Sequence, residues 1–295
     1  MTSAASNPLA SRPFLKMNGI GNSIVVLDLR GSPLRVSAAD ARAIGRGKGL
    51  AYDQMMVLYD PVAPGTVARM KIFNIDGSLS GACGNGTRCV AWALMQQTAE
   101  KQIILESDGG LLECTREGAW RFTVDMGAPR LGWNDIPLRD AVADTLLVGL
   151  PDPPPGAEHL GGFGAVNMGN PHAVFFVDDV EAHHLDRVGP LIELHPMFPQ
   201  RVNVSLAHVV ARDYIELKVW ERGTGLTLAC GSAACATLVA AARRNLSGRR
   251  ATFRLPGGEL VIEWRESDGH VLMTGDVELE FEGRFDPMLF AEANA

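Results

Sequence analysis

Residues 71–84 read KIFNIDGSLSGACG, and residues 218–231 read KVWERGTGLTLACG. Each stretch opens on a lysine and two apolar residues, passes through a glycine-containing turn and arrives at Ala-Cys-Gly. Twelve positions separate Lys71 from Cys83, and twelve separate Lys218 from Cys230. The copies are offset by 147 residues, and the match continues upstream. Gly21-Asn22 precedes the run Ile24–Asp28, and Gly169-Asn170 precedes Val174–Asp178. Asn22 lies 61 positions before Cys83, and Asn170 lies 60 before Cys230. Three landmarks in register imply an internal duplication. At 295 residues the chain is also long enough for two domains.

Each copy carries the same local pattern. Tyr214–Glu221 alternates, with Ile215, Leu217 and Val219 on one face, which predicts a half-buried strand. Arg69–Asn74 allows the same reading. After each cysteine the composition turns to helix formers, over 84–101 and over 231–245, with Arg243, Arg244 and Gly248 as the stop of the second helix. Cys83 and Cys230 therefore fall where a turn becomes a helix N-terminus. Pro151–Gly164 and Gly127–Pro137 read as loops between the halves, and Phe253–Trp264 reads as a hairpin turning at Pro256–Gly258.

Composition removes whole classes of function. The formal charge is −7 and aromatic residues make up 6%, so neither a basic surface nor a stacking platform for nucleic acid is expected. No apolar run is long enough to span a membrane. Residues 1–12 read as a disordered polar tail, not as a signal peptide. Five cysteines without such a signal point to free thiols in a reducing cytoplasm.

A thiol at a helix N-terminus feels the positive end of the macrodipole and the unpaired amides of the first turn, which favour the thiolate. The same amides would hold a carboxylate, and Gly84 and Gly231 would let the ligand come close. Two such cysteines, related by an internal pseudo-twofold, suit the removal of a proton from one face of a carbon and its return to the other. The expectation is a racemase or epimerase of an amino acid that needs no cofactor. Competing readings apply to each group. Cys89, Cys114 and Cys235 read as small core residues. Zinc is disfavoured because C-x5-C and C-x4-C are not paired C-x2-C clips. A Cys83–Cys230 disulfide formed on oxidation would inactivate. His183, His184, His195 and His208 are placed on exposed polar segments, and Gly45-x-Gly47-x-Gly49 is read as a loop. His172, in a Gly-Asn-Pro-His turn, is the better histidine candidate.

At these residues the chain resembles the diaminopimelate epimerases, from Phe14 to about Gly275. The motifs are Lys16–Asn22, Asp53-Gln54, Phe73–Ser78 and Cys83–Cys89 in the first half. In the second they are Met168–His172, Arg201–Asn203, Trp220–Gly223 and Ala229–Ser232. The resemblance implies an α/β (α+β) fold of two pseudo-symmetric lobes, each a curved, mostly antiparallel sheet around a central helix. The lobes would comprise residues 1–127 with 274–295, and residues 128–273.

It also implies interconversion of LL- and meso-2,6-diaminopimelate on the route to lysine and peptidoglycan, with no cofactor and no metal, in a homodimer. Cys83 and Cys230 would be the two acid–base groups, with His172 and Glu221 beside the reacting centre. The amides of Gly84-Asn85 and Gly231-Ser232 would hold its carboxylate. Asn74, Asn170, Asn203 and Arg222 would grip the distal end, and Asn22 and Gln54 would complete the pocket. An arginine fork suits a carboxylate. Asn18, Ser23-Ile24, Ala51 and Ala233 depart from the family pattern and bear on substrate fit. The rivals are a proline or hydroxyproline racemase of the same fold, which has no distal carboxylate to bind, and a non-catalytic amino-acid-binding protein, for which matched cysteines have no use.

Overall fold

The computed structural model describes residues 7–96 and 98–291. The chain divides into two compact units, residues 1–124 with 276–295, and residues 125–275.

In the first unit β1 (Pro13–Asn18) and β2 (Ser23–Asp28) form an antiparallel pair. After α1 (Ala38–Gly45), β3 (Gln54–Tyr59) lies parallel to β2, and β4 (Ala68–Asn74) runs antiparallel to β3. The short β5 (Leu79–Ser80) folds back on β4 and leads into α2 (Gly84–Met95). Next, β6 (Gln102–Ser107) is parallel to β4 and continues antiparallel into β7 (Gly110–Arg116) and β8 (Arg121–Asp125).

The second unit repeats this order element for element. An antiparallel pair, β9 (Phe163–Asn167) and β10 (Pro171–Phe176), is followed by α3 (Leu185–Glu193) and by β11 (Asn203–Ala211), parallel to β10. Then come the antiparallel β12 (Tyr214–Glu221), the short β13 (Gly225–Thr227) and α4 (Gly231–Arg243). β14 (Arg250–Leu255) is parallel to β12, and β15 (Gly258–Trp264) and β16 (Val271–Asp276) complete the set. The final strand, β17 (Glu278–Arg284), returns to pair antiparallel with β1. The fold is α/β with mostly antiparallel pairing, and the two units share one topology.

The core explains the helix sequences. In α2, ten of twelve residues are buried, and in α4 ten of thirteen. A helix buried on every side cannot show a polar stripe, and GSAACATLVAAAR meets that demand with small residues that let strands approach closely. At Gly164 of β9 an added Cβ would lie 2.9 Å from the Ala240 methyl of α4.

Several elements differ from the sequence reading. Residues 7–12 carry no free tail: Leu9 is buried in the first unit's core, and Asn7 donates to Asp40 at 2.6 Å. Residues 1–6 of the expected tail lie outside the described residues. The first central helix stops at Met95 and not at Lys101, because the Arg116 guanidinium of β7 takes the Met95 carbonyl at the helix end. The second stops at Arg243, but Asn245 ends it rather than Gly248. Asn245 adopts φ +58°, with Asn245 N–H donating to Ala242 and Leu246 N–H to Ala241, a Schellman closure. Gly45 belongs to α1, and His208 sits on β11 with a buried Nδ1, not on an exposed segment.

Candidate active site

The two cysteines are the N-cap residues of α2 and α4. Both have extended backbone, with φ −151° and ψ 103° at Cys83, and φ −133° and ψ 108° at Cys230. An N-cap in this conformation can turn its side chain onto the amides of the first turn; Cys83 does so, whereas Cys230 makes no such bond and its Sγ lies 3.5 Å from Ser232 Oγ. Gly86 N–H donates to Cys83 Sγ at 3.2 Å, and the Asn22 Oδ1 stands 3.8 Å from the same sulfur. A Cβ at Gly86 would come within 2.6 Å of the Met56 sulfur, so a larger residue there would displace that side chain.

Sheet register gathers the other candidates in each unit. β2 and β3 are parallel and start together, with Ile24 opposite Gln54, and the antiparallel β4 ends there with Asn74 opposite Gln54. The second unit matches: His172 is opposite Asn203, and beyond the Val204–Trp220 pair stand Asn203 and Glu221. Asn22 and Asn170 immediately precede β2 and β10. Asn22 thus corresponds to Asn170, Gln54 to Asn203, Asn74 to Glu221, Cys83 to Cys230, and Ile24 to His172.

The two sets differ in charge. In the first unit neutral amides link up: Gln54 Nε2 donates to Asn74 Oδ1 at 3.2 Å, and Asn74 Nδ2 to Ser78 Oγ at 3.0 Å. Asn22 Nδ2 donates to Asp53 at 3.2 Å, and Asn85, nearly fully buried, accepts from Arg88. The second unit carries Glu221, Arg222 and His172. Thr227 Oγ1 donates to Glu221 at 2.6 Å. Arg222 N–H donates to Asn203 Oδ1 at 2.9 Å, and Asn203 Nδ2 to the Pro171 carbonyl at 2.8 Å. Arg222 Nη1 reaches the Gln200 carbonyl.

His172 is fully buried, and its Nε2 lies 2.8 Å from Asn170 Oδ1. An amide oxygen can only accept, so Nε2 carries the proton and Nδ1 remains an acceptor. Burial, and then the Arg222 charge, lower its pKa from 6.5 to about 3, so the ring stays neutral.

Cys230 departs from the expected activation. It is 5% exposed, and burial pushes its thiol well above the ordinary range, with the Glu221 carboxylate adding to the effect. The neighbouring Ser232 hydroxyl and Ala233 amide oppose this without overcoming it. Desolvation outweighs the helix N-terminus at this position. The expected core cysteines Cys89, Cys114 and Cys235 are buried, while Cys83 is half-buried, and none of the five is joined in a disulfide.

Asp125, Asp268 and His270 bring carboxylate and imidazole atoms within 4.8 Å of one another. Arg265 pairs with both carboxylates, at 2.8 Å from Asp125 and 2.6 Å from Asp268, so the cluster is an ion-pair network. It contains none of the expected site residues. The sequence reading missed Thr227, the hydroxyl that fixes Glu221, and Glu193, which holds the next turn. Neither belongs to a motif with a chemical signature of its own.

The chain is thus a duplicated α/β unit with a cysteine at the N-cap of the inner helix of each copy. Among solved structures, a hydroxyproline epimerase from Agrobacterium vitis matches with a TM-score of 0.63 at 15% identity, covering 93% of this chain and 92% of its own. A phenazine biosynthesis protein from Bacillus anthracis matches with a TM-score of 0.64 at 14% identity, over 92% of this chain and 98% of its own. These likenesses establish the fold. The family model of diaminopimelate epimerase matches residues 14–132 and 164–280. A diaminopimelate epimerase of a Methylobacterium species is 60% identical over 97% of this chain and 99% of its own length. That of Methylocella silvestris is 57% identical over 98% and 100%. The chain belongs to the diaminopimelate epimerase family, a family of isomerases.

Proposed function

We propose that the chain interconverts LL- and meso-2,6-diaminopimelate by a two-base proton transfer. The observation that carries this reading is the pair of cysteines, each the N-cap of the equivalent helix in one of two topologically identical units. Inversion needs a base on one face of the α-carbon and an acid on the other. One cysteine enters as thiolate and takes the α-proton. The carbanion so formed takes the proton of the other cysteine's thiol, and the reverse reaction exchanges the roles. Amides of Gly84-Asn85 and Gly231-Ser232 hold the carboxylate at the reacting centre, where they offset the charge that develops on it.

Glu221, its carboxylate fixed by Thr227, faces the substrate ammonium, and neutral His172 supports the thiol chemistry without adding charge. By the family resemblance Arg222 takes the distal carboxylate, Asn74, Asn170 and Asn203 bind the same end of the substrate, and Asn22 and Gln54 also bind substrate. The charge difference between the units supports this division. The first supplies the side-chain amides of Asn22, Gln54 and Asn74, and the second supplies a carboxylate for the ammonium at the reacting centre and a guanidinium for the distal carboxylate.

The enzyme serves lysine and cell-wall precursor synthesis as a cytoplasmic homodimer. Five cysteines with no disulfide among them fit a reducing compartment, and the family resemblance supports the dimer, which light scattering would test. Among the described residues no helix is long and apolar enough to cross a membrane.

Proton NMR of the reduced protein with LL-diaminopimelate in D2O tests the reaction. Meso product appearing with deuterium at one α-carbon is the expected result. No exchange with fully reduced thiols would discard this substrate.

A further inference from the structure

Glu193 closes α3, and its side chain is 7% exposed. A buried carboxylate is costly unless its oxygens are filled, and here both are. Trp220 Nε1 donates to Oε2 at 2.7 Å, and Gly223 N–H donates to Oε1 at 3.0 Å. The Arg201 guanidinium stands 3.6 Å from Oε1. The two donors flank Glu221 and Arg222 on either side. We propose that Glu193 is a positioning residue: it sets the turn that presents Arg222 to the distal carboxylate of the substrate. This inference rests on the role given to Arg222 above.

The turn shows why an outside acceptor is needed. Thr224 N–H donates to the Glu221 carbonyl at 3.0 Å, and Gly223 at the third position has φ +75°, the arrangement of a type II turn. That closure uses only the Thr224 donor. The Arg222 and Gly223 amides point away from it, and each has an acceptor from another element, Asn203 Oδ1 and Glu193 Oε1 respectively. Arg201, at φ +60°, and Gln200, whose carbonyl accepts from Arg222 Nη1, belong to the segment that leads into Asn203. One carboxylate thereby ties the segment carrying Asn203 to the turn carrying Arg222. It must be a carboxylate because it accepts on both oxygens. A glutamine of the same shape would turn an NH2 group towards one of the two donors.

The test is steady-state epimerisation of LL-diaminopimelate by the wild type, Glu193→Gln, Arg222→Met and the double variant, with hydrogen exchange at the Gly223 amide. Glu193→Gln raises KM about tenfold, as expected when a charge-assisted hydrogen bond is removed from a binding turn, and changes kcat by less than about threefold. In the Arg222→Met background the same substitution changes KM by less than about twofold, because a residue acting through Arg222 has nothing left to act through. The Gly223 amide exchanges faster in Glu193→Gln.

An unchanged KM, an equal rise in both backgrounds, or unchanged exchange at Gly223 overturns the proposal. If Glu193→Gln does not fold, Arg201→Gln removes only the half-exposed partner and raises KM about two- to threefold; no rise overturns the proposal. Absence of turnover by the wild type overturns the substrate reading and the carboxylate assignment with it. Turnover with an unaffected Glu193→Gln overturns the role of Glu193 alone.

Discussion

Acidification should cost this fold stability through His172, and replacing that one side chain should remove the cost. The imidazole is fully buried, and its pKa falls from 6.5 to about 3, through burial first and the neighbouring Arg222 charge second. The unfolded chain binds a proton at this residue below about pH 6.5, whereas the folded chain does not until about pH 3. Protons therefore favour the unfolded state across that window, and stability drops as pH falls through it. Each pH unit well inside the window is worth about 1.4 kcal/mol. Between pH 7 and pH 5 the loss is about 2 kcal/mol, and by pH 3 it reaches about 4 kcal/mol.

The assay is urea unfolding of the wild type and His172→Gln at pH 7, 6 and 5. Other titrating groups act on both proteins alike, so the difference between the two curves isolates His172. The wild type should lose about 2 kcal/mol more than the variant from pH 7 to pH 5. Parallel pH dependence would refute the claim that this ring is held neutral by burial.

Three further outcomes follow from the geometry. Cys83→Ala and Cys230→Ala should each abolish inversion in the D2O assay, since each removes one face's proton carrier; near-normal inversion by either variant would end the two-base scheme. Iodoacetamide at neutral pH should label Cys83 first, because it alone of the five cysteines is not buried, and peptide mapping that found Cys230 modified earlier would contradict this. Gly189→Ala in α3 would place a methyl 2.7 Å from the Trp220 ring. Overpacking of about 1–3 kcal/mol should outweigh the helix-propensity gain of about 1 kcal/mol, lowering the urea midpoint and raising KM. A variant as stable as the wild type would show that Trp220 is free to move.

Local signals carried much of the site. Cys83 and Cys230 were legible as helix caps because a change from alternation to helix formers marks a helix start wherever the chain later packs. β12 was legible because Ile215, Leu217 and Val219 alternate cleanly. The capping box of α1, Ser37 with Asp40, was also present in the sequence, yet the Gly45–Gly49 run hid the helix behind it. α3 contains Gly189 and Pro190 and has no side-chain cap. Propensity argues against it, and it forms because Leu185, Val188 and Ile192 bury one face in the core of the second unit.

What the sequence determined by itself was the duplication and the two N-cap cysteines and, through motif resemblance, the α/β class and the family. The duplication and the helix starts are properties of residue order, legible in periodicities and composition changes that act within a few residues. The tertiary structure alone decided the rest. It matched Gln54 with Asn203 and Asn74 with Glu221 through strand register, and it placed His172 in a desolvated position where the ring stays neutral. It pushed the Cys230 thiol up where the helix N-terminus alone would have lowered it, and it brought Glu193 onto a turn some thirty residues away. Desolvation and long-range hydrogen bonding depend on which groups packing brings together, and no local pattern encodes that.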